Sequence, residues 1–192
     1  MRRFVLLVSL MAALALCAGA QTYINFQGMP MANTPIVMPD NYPTGMGLYW
    51  DNFYYVTPGL WSGEGAGFWV DPSLQHNTVA FFGGPTCTLA IPCSASIKLS
   101  QIVMAPVNRT FTPISVSISA GWTANNVRVT AYNNSKFVGS VVWTLKTVPQ
   151  TFTFPAAWNV TQLAFTPDVL PSNAVNPNAG SMVVYSFVLM QH

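Results

Sequence analysis

The sequence predicts an all-β protein built as an antiparallel sandwich or barrel, and two observations carry that prediction. From Ile114 to Thr166 the chain reads ISVSISA, NVRVTAY, FVGSVVWTL, QTFTF and VTQLAFT, with a short polar or Pro-containing break after each run. Val127, Val129 and Ala131 alternate with Arg128, Thr130 and Tyr132, and Ile114, Val116 and Ile118 alternate with serines. Side chains on a strand point to opposite faces with period two, so this alternation marks strands with one buried face. The second observation is that no segment carries a sustained helical period and no repeat of fixed length appears. Short runs rich in Val, Thr and aromatics at close spacing belong to an antiparallel β architecture.

The N-terminus reads as an export signal. Arg2 and Arg3 form a basic region, Phe4 to Leu16 an apolar one, and Ala18-Gly19-Ala20 a small-residue cleavage site. The apolar run is short for a membrane anchor, which needs roughly 20 residues. Leu16 fits poorly ahead of a lipid-attachment Cys17. Residues 1–20 are therefore expected to be removed, leaving residues 21–192 as one β-sandwich domain, secreted and without an integral membrane segment.

Removing the signal changes the electrostatics. Of the 7 Lys and Arg residues, Arg2 and Arg3 leave with the signal, and the remaining five face 5 acids. Residues 21–192 are thus close to neutral, and nucleic-acid binding through a basic face lacks its electrostatic footprint. Charged residues make up only 6% of the chain, which raises a small outer-membrane β-barrel as a competitor. Such barrels need strands of about 9–11 residues, and most runs here read as shorter. The barrel ranks below the sandwich.

Along the chain, Thr22 to Phe26 reads as a first strand. Pro30, Pro35, Pro39 and Pro43 then exclude a helix and predict an irregular crossing up to Gly47. Leu48 to Val56 is read as one strand and holds the densest aromatic cluster. Gly63-Glu64-Gly65-Ala66-Gly67 follows as a turn; it is not a dinucleotide fingerprint, because Phe68 stands where a third Gly belongs. Asn77 to Phe82 and Ser94 to Val103 are further strands. Cys87 and Cys93, the cysteines left after Cys17 is lost, predict one disulfide closing a small loop in an oxidising compartment. Two buried thiols are the alternative; a zinc site lacks further ligands. After the polar loop from Pro167 to Ser181, Met182 to Met190 is apolar on both faces and is expected inside a sheet.

Several of these segments together resemble a family of secreted bacterial β-sandwich proteins, many of which carry a C-terminal PEP-type sorting signal. The matching landmarks are Ile24-Asn25-Phe26, Pro39-Asp40-Asn41-Tyr42, and Leu48-Tyr49-Trp50-Asp51-Asn52-Phe53. Asn77 to Phe81, Gly121-Trp122 through Val127 to Tyr132, and Val160 to Phe165 complete them. The chain departs from the family where Gln27-Gly28 replaces acids, where Tyr185-Ser186-Phe187 replaces an Asp-Asn-Phe-like motif, and where no sorting tail follows His192. The resemblance implies a jelly-roll sandwich of the galactose-binding-like kind, similar to carbohydrate-binding modules. The missing tail implies a freely secreted product.

Catalysis is poorly provisioned. Glycoside hydrolysis uses two flanking carboxyl groups, and Asp51 with Glu64 is a pair that a fold could bring together, as it could some pair of any five acids. A Ser–His–acid triad would have to use His76 or His192, and no Gly-x-Ser-x-Gly elbow is present. The chain reads as non-enzymatic. The aromatic belt is the better candidate: Tyr49, Trp50, Asp51, Asn52, Trp61 and Trp69 place rings beside hydrogen-bonding side chains, as shallow sugar sites do. Core packing is the competing explanation for about two in three of these rings. If Leu48, Trp50, Asn52 and Tyr54 share one face, then Asp51 shares the other with Tyr49, Phe53 and Tyr55. Trp122, Trp143 and Trp158 are expected in core or edge packing. Calcium is a weaker expectation, with Asp40, Asn41 and Asp168 as oxygen donors. The leading function is a secreted, non-catalytic binding module for a glycan or other cell-surface polymer. The alternative is a structural, matrix or adhesion protein of the cell surface.

Overall fold

The computed structural model describes residues 20–60, 76–82, 95–99, 109–121, 124–168 and 181–192. Among these residues twelve strands form two antiparallel sheets, A and B. Sheet A contains β1 (Gln21–Asn25), β2 (Ile36–Val37), β4 (Tyr54–Val56), β5 (Val79–Phe82), β7 (Phe111–Ala120), β10 (Gln150–Thr153) and β12 (Met182–Gln191). Sheet B contains β3 (Leu48–Asp51), β6 (Ala95–Leu99), β8 (Asn125–Asn133), β9 (Lys136–Leu145) and β11 (Gln162–Asp168), in the spatial order β3-β6-β11-β8-β9. From β6 onward nearly every connection carries the chain from one sheet to the other, as in a jelly roll. Two separate sheets over an apolar interior make a sandwich, and the closed barrel is set aside.

The interior is filled by the inward residues of each strand. Sheet B contributes Leu48, Trp50, Ile97, Val127, Val129, Leu145, Leu163 and Phe165; sheet A contributes Ile24, Phe82, Val116, Ile118, Val184 and Phe187. Rings tie the layers together. Phe53 lies 5.1 Å from Phe82 and 6.1 Å from Phe165, and Phe154 lies between Trp143 and Phe187 at 5.1 and 5.7 Å. Trp143 and Trp158 are buried, as expected of packing tryptophans, and Trp122 lies outside the described residues. β12 pairs with β7 along one edge and with β1 and β5 along the other. Both of its faces are buried near its start, where Met182 and Val184 enter the main core and Val183 a smaller cluster on the opposite face. A smaller apolar cluster of Val56, Val79, Phe81 and Val183 occupies the other face of sheet A.

The structure differs from the sequence expectation at several places. The crossing up to Gly47 contains the short strand β2, and β11 runs on through Pro167 and Asp168 where the sequence predicts a loop. Two further differences bear on side-chain direction. Leu48 to Val56 is not one strand: Asn52, with φ 57°, turns the chain from β3 in sheet B to β4 in sheet A. The left-handed conformation breaks the alternation, so Phe53 and Tyr55 return to the buried side. Ile114 also leaves its expected row. The pairing of β7 with β12 jumps from Val188↔Ser115 to Leu189↔Pro113, leaving Ile114 as the extra residue of a bulge. The β8–β9 hairpin turns through Asn134 and Ser135, both at positive φ (47° and 65°), as a two-residue hairpin loop requires.

Candidate functional site

β3 is the element that separates the sequence candidates. Its burial alternates: Leu48 and Trp50 point inward, Tyr49 and Asp51 point to the outer face of sheet B. Trp50 is 2% exposed. Its ring packs edge-on against Phe53 at 5.2 Å and Phe26 at 5.7 Å, and its Nε1 donates to the Tyr42 carbonyl oxygen at 2.6 Å. Trp50 is therefore a core residue and not a stacking surface for a ligand. Asn52 is exposed at the corner beyond the strand end. Asp51 does not share its face with three rings, since the chain turn at Asn52 takes Phe53 and Tyr55 elsewhere. It shares it with Tyr49. Trp61, Trp69, Cys87 and Cys93 lie outside the described residues, as does Glu64.

Tyr49 and Asp51 are joined by a residue the aromatic pattern did not single out. Lys98 on β6 lies directly opposite Tyr49 in the register. Its ammonium is 4.8 Å from the centre of the Tyr49 ring and 3.7 Å from Asp51 Oδ2. The two charged side chains are 40% and 44% exposed, so the ion pair contributes at most about 1 kcal/mol and opens at little cost.

The register extends this cluster across the sheet. Tyr49 pairs with Lys98, Lys98 with Gln162, Gln162 with Tyr132 and Tyr132 with Phe137, so one transverse row runs over all five strands of sheet B. The neighbouring row is Asp51, Ser96, Ala164, Thr130 and Ser140. The first row is tall and carries rings at both ends; the second is short, and Ser96 is 6% exposed. Tyr132 and Phe137 form an edge-on ring pair at 6.4 Å, and Phe137 is 62% exposed. The signal for Tyr132 was its place in the outward set with Arg128 and Thr130. For Lys98, Gln162 and Phe137 it existed only in the strand pairing.

The loop leading into β3 is fixed rather than loose. Asn41 N donates to Leu48 O, Asn41 Oδ1 accepts from Gly47 N, and the Tyr42 hydroxyl donates to Asn25 O. Burial raises the Tyr42 pKa above its ordinary value. This geometry also bears on calcium. Asp40 and Asn41 lie beside Leu48, at the Gln162 end of β11, whereas Asp168 ends that strand six residues away, about 20 Å along it. The three donors expected from the sequence do not converge, and no group of three or more His, Cys, Asp or Glu side chains forms a metal cluster among the described residues. No helix among them is long and apolar enough to cross a membrane.

No protein-family model matches the chain, and no curated protein matches it. Among solved structures, it is similar to a family two carbohydrate esterase from Cellvibrio japonicus, with a TM-score of 0.39 and 8% identity over 90% of this chain. The match spans about a third of that esterase, 34% of its length. A mutant family 29 carbohydrate-binding module complexed with cellulohexaose gives a TM-score of 0.40 and 10% identity, covering 89% of this chain and 91% of that one. The family 32 module of C. perfringens NanJ, in complex with galactose, gives 0.33 and 11% identity, covering 90% and 93%. With TM-scores this low, the reading of the site rests on its own residues.

Proposed function

We propose that the chain is a secreted, non-catalytic glycan-binding module whose site is the outer face of sheet B. The observation that carries this is the convergence of Tyr49, Asp51 and Lys98 on an exposed face. A sugar ring presents an apolar C–H face that an aromatic ring can cover, and a rim of hydroxyls that a carboxylate and an ammonium can bond. The site is shallow, so little buried area offsets the cost of ordering the ligand, and binding is weak. The reading includes export with cleavage after Ala20 and a Cys87–Cys93 disulfide. A glycan array probed with the chain from Gln21 onward tests the module. Retention of at least one glycan by the parent and its loss in Tyr49→Ala supports the reading; a folded protein that retains none overturns it.

A structural or adhesive role rests on a different observation. Phe137, Val138, Val142 and Val148 are exposed along and just beyond β9, the last strand of sheet B among the described residues. An exposed apolar edge invites strand pairing. Lys136 opens this strand and Lys146 follows its last residue, however, and lysines on an edge strand are a common guard against such pairing. The glycan face is the better supported of the two.

A further inference from the structure

Resting on the glycan reading, we infer that the ligand is an extended polysaccharide chain lying across the strands, from Tyr49 on β3 to Phe137 on β9, and not a single terminal sugar. Tyr49 and the Tyr132–Phe137 pair stand at opposite ends of one transverse row, with Lys98 and Gln162 between them. Four strand spacings separate the ends, about 19 Å. One sugar cannot reach both ring stations.

The space beside the row has a matching shape. Ala164, Thr130 and Ser140 floor a trough, because small side chains there leave the taller row standing above them. Ser96, next in that row, is buried at 6% exposure and is not part of the open floor. Arg128 and Val142, paired across β8 and β9, form the other wall. Rows on one face are about 7 Å apart, so wall-to-wall the trough is about 14 Å between backbone rows. At its β3 end Asp51 stands in the floor row and reaches back to Lys98, and this weak ion pair can exchange for ligand hydroxyls. At the β9 end the trough runs out past Phe137, the most exposed ring of the row. The ligand chemistry follows from the lining: rings at the ends, amide and hydroxyl groups along the middle, and charge confined to a few exposed side chains. An extended, hydroxyl-rich polymer fits that order.

The test compares disaccharides with hexasaccharides of linear glucan, mannan and xylan by calorimetric titration of the parent, Tyr49→Ala and Phe137→Ala. The parent is expected to bind the preferred hexasaccharide about tenfold or more tighter than its disaccharide, the size of one added ring contact. Phe137→Ala is expected to remove most of that gain, and Tyr49→Ala to lower the affinity for both lengths. Phe137 is too exposed for its loss to threaten the fold, and a retained thermal transition checks this. Equal affinity for both lengths, or a hexasaccharide affinity untouched by Phe137→Ala, overturns the extended-chain inference while Tyr49-dependent binding keeps the module reading. Absence of binding to every oligomer overturns the extended-chain inference alone where the array still retains a glycan, and both readings where it retains none.

Discussion

Tyr49 and Trp50 are neighbours in the chain that serve opposite sides of the same sheet. The Tyr49 ring lies 4.8 Å from the Lys98 ammonium on the outer face, while the Trp50 ring is closed in the core 5.2 Å from Phe53. Two adjacent rings of similar chemistry thus divide into one available to a ligand and one that holds the sandwich together.

The two alanine substitutions separate accordingly. Trp50→Ala empties a buried ring site and loses the bond to Tyr42, and is expected to cost about 3–5 kcal/mol of stability. Tyr49→Ala removes a half-exposed ring and is expected to stay within about 1 kcal/mol of the parent, while abolishing glycan retention. Urea unfolding of both variants checks the stabilities, with glycan retention measured on whichever remains folded. Similar destabilisation by the two changes contradicts the division of faces.

The Asp51–Lys98 pair is expected to add little to the fold. A double-mutant cycle with Asp51→Asn and Lys98→Gln should give a coupling below about 1 kcal/mol that fades as salt is raised toward 1 M, where the screening length is about 3 Å. Loss of glycan binding in each single variant, without loss of stability, assigns the pair to the ligand. A coupling of several kcal/mol that survives high salt would show it to be structural.

Much of the fold was legible because β8 and β12 announce their burial locally. Val127, Val129 and Ala131 fall on the inner face as the alternation required, and the doubly apolar Met182–Val184 run is internal. The site was legible only in half. Tyr49 and Asp51 lie in a recognisable aromatic stretch, but which set faced outward depended on Asn52 adopting a left-handed conformation, and nothing in a period-two pattern records that. Lys98, Gln162 and Phe137 meet Tyr49 and Tyr132 through register alone. Register is a property of strand pairing over long sequence separations, and one residue of slip would reverse every face.

Alkaline unfolding should report on Tyr42. Its hydroxyl donates to Asn25 O and burial raises its pKa above the ordinary 10.0, so the folded state favours the protonated phenol. In the unfolded chain the same phenol ionises near its ordinary value. Stability linked to Tyr42 is therefore fully present below pH 10 and declines as pH rises from there through the folded pKa. Tyr42→Phe is expected to lose about 1 kcal/mol at neutral pH from the missing hydrogen bond and to show a shallower alkaline decline than the parent. Parallel stability–pH curves for parent and variant above pH 10 contradict the assignment.

The corner at Asn52 gives the last prediction. Asn52 holds φ 57° where the chain leaves sheet B for sheet A. Replacement by Gly or by Ala removes the same side-chain amide, so the difference between the two variants isolates the backbone. A left-handed conformation costs an L-residue with a Cβ about 1–2 kcal/mol that Gly does not meet. The greater freedom of Gly in the unfolded chain works the other way, by about 0.4–1 kcal/mol. The net expectation is that Asn52→Ala is about 1 kcal/mol less stable than Asn52→Gly, read from urea unfolding midpoints at unchanged slope. An Ala variant as stable as the Gly variant means that the chain can make this turn without the left-handed residue. In that case Leu48 to Val56 would be free to run on as one strand, and the separation of Tyr49 from Phe53 and Tyr55 would need another cause.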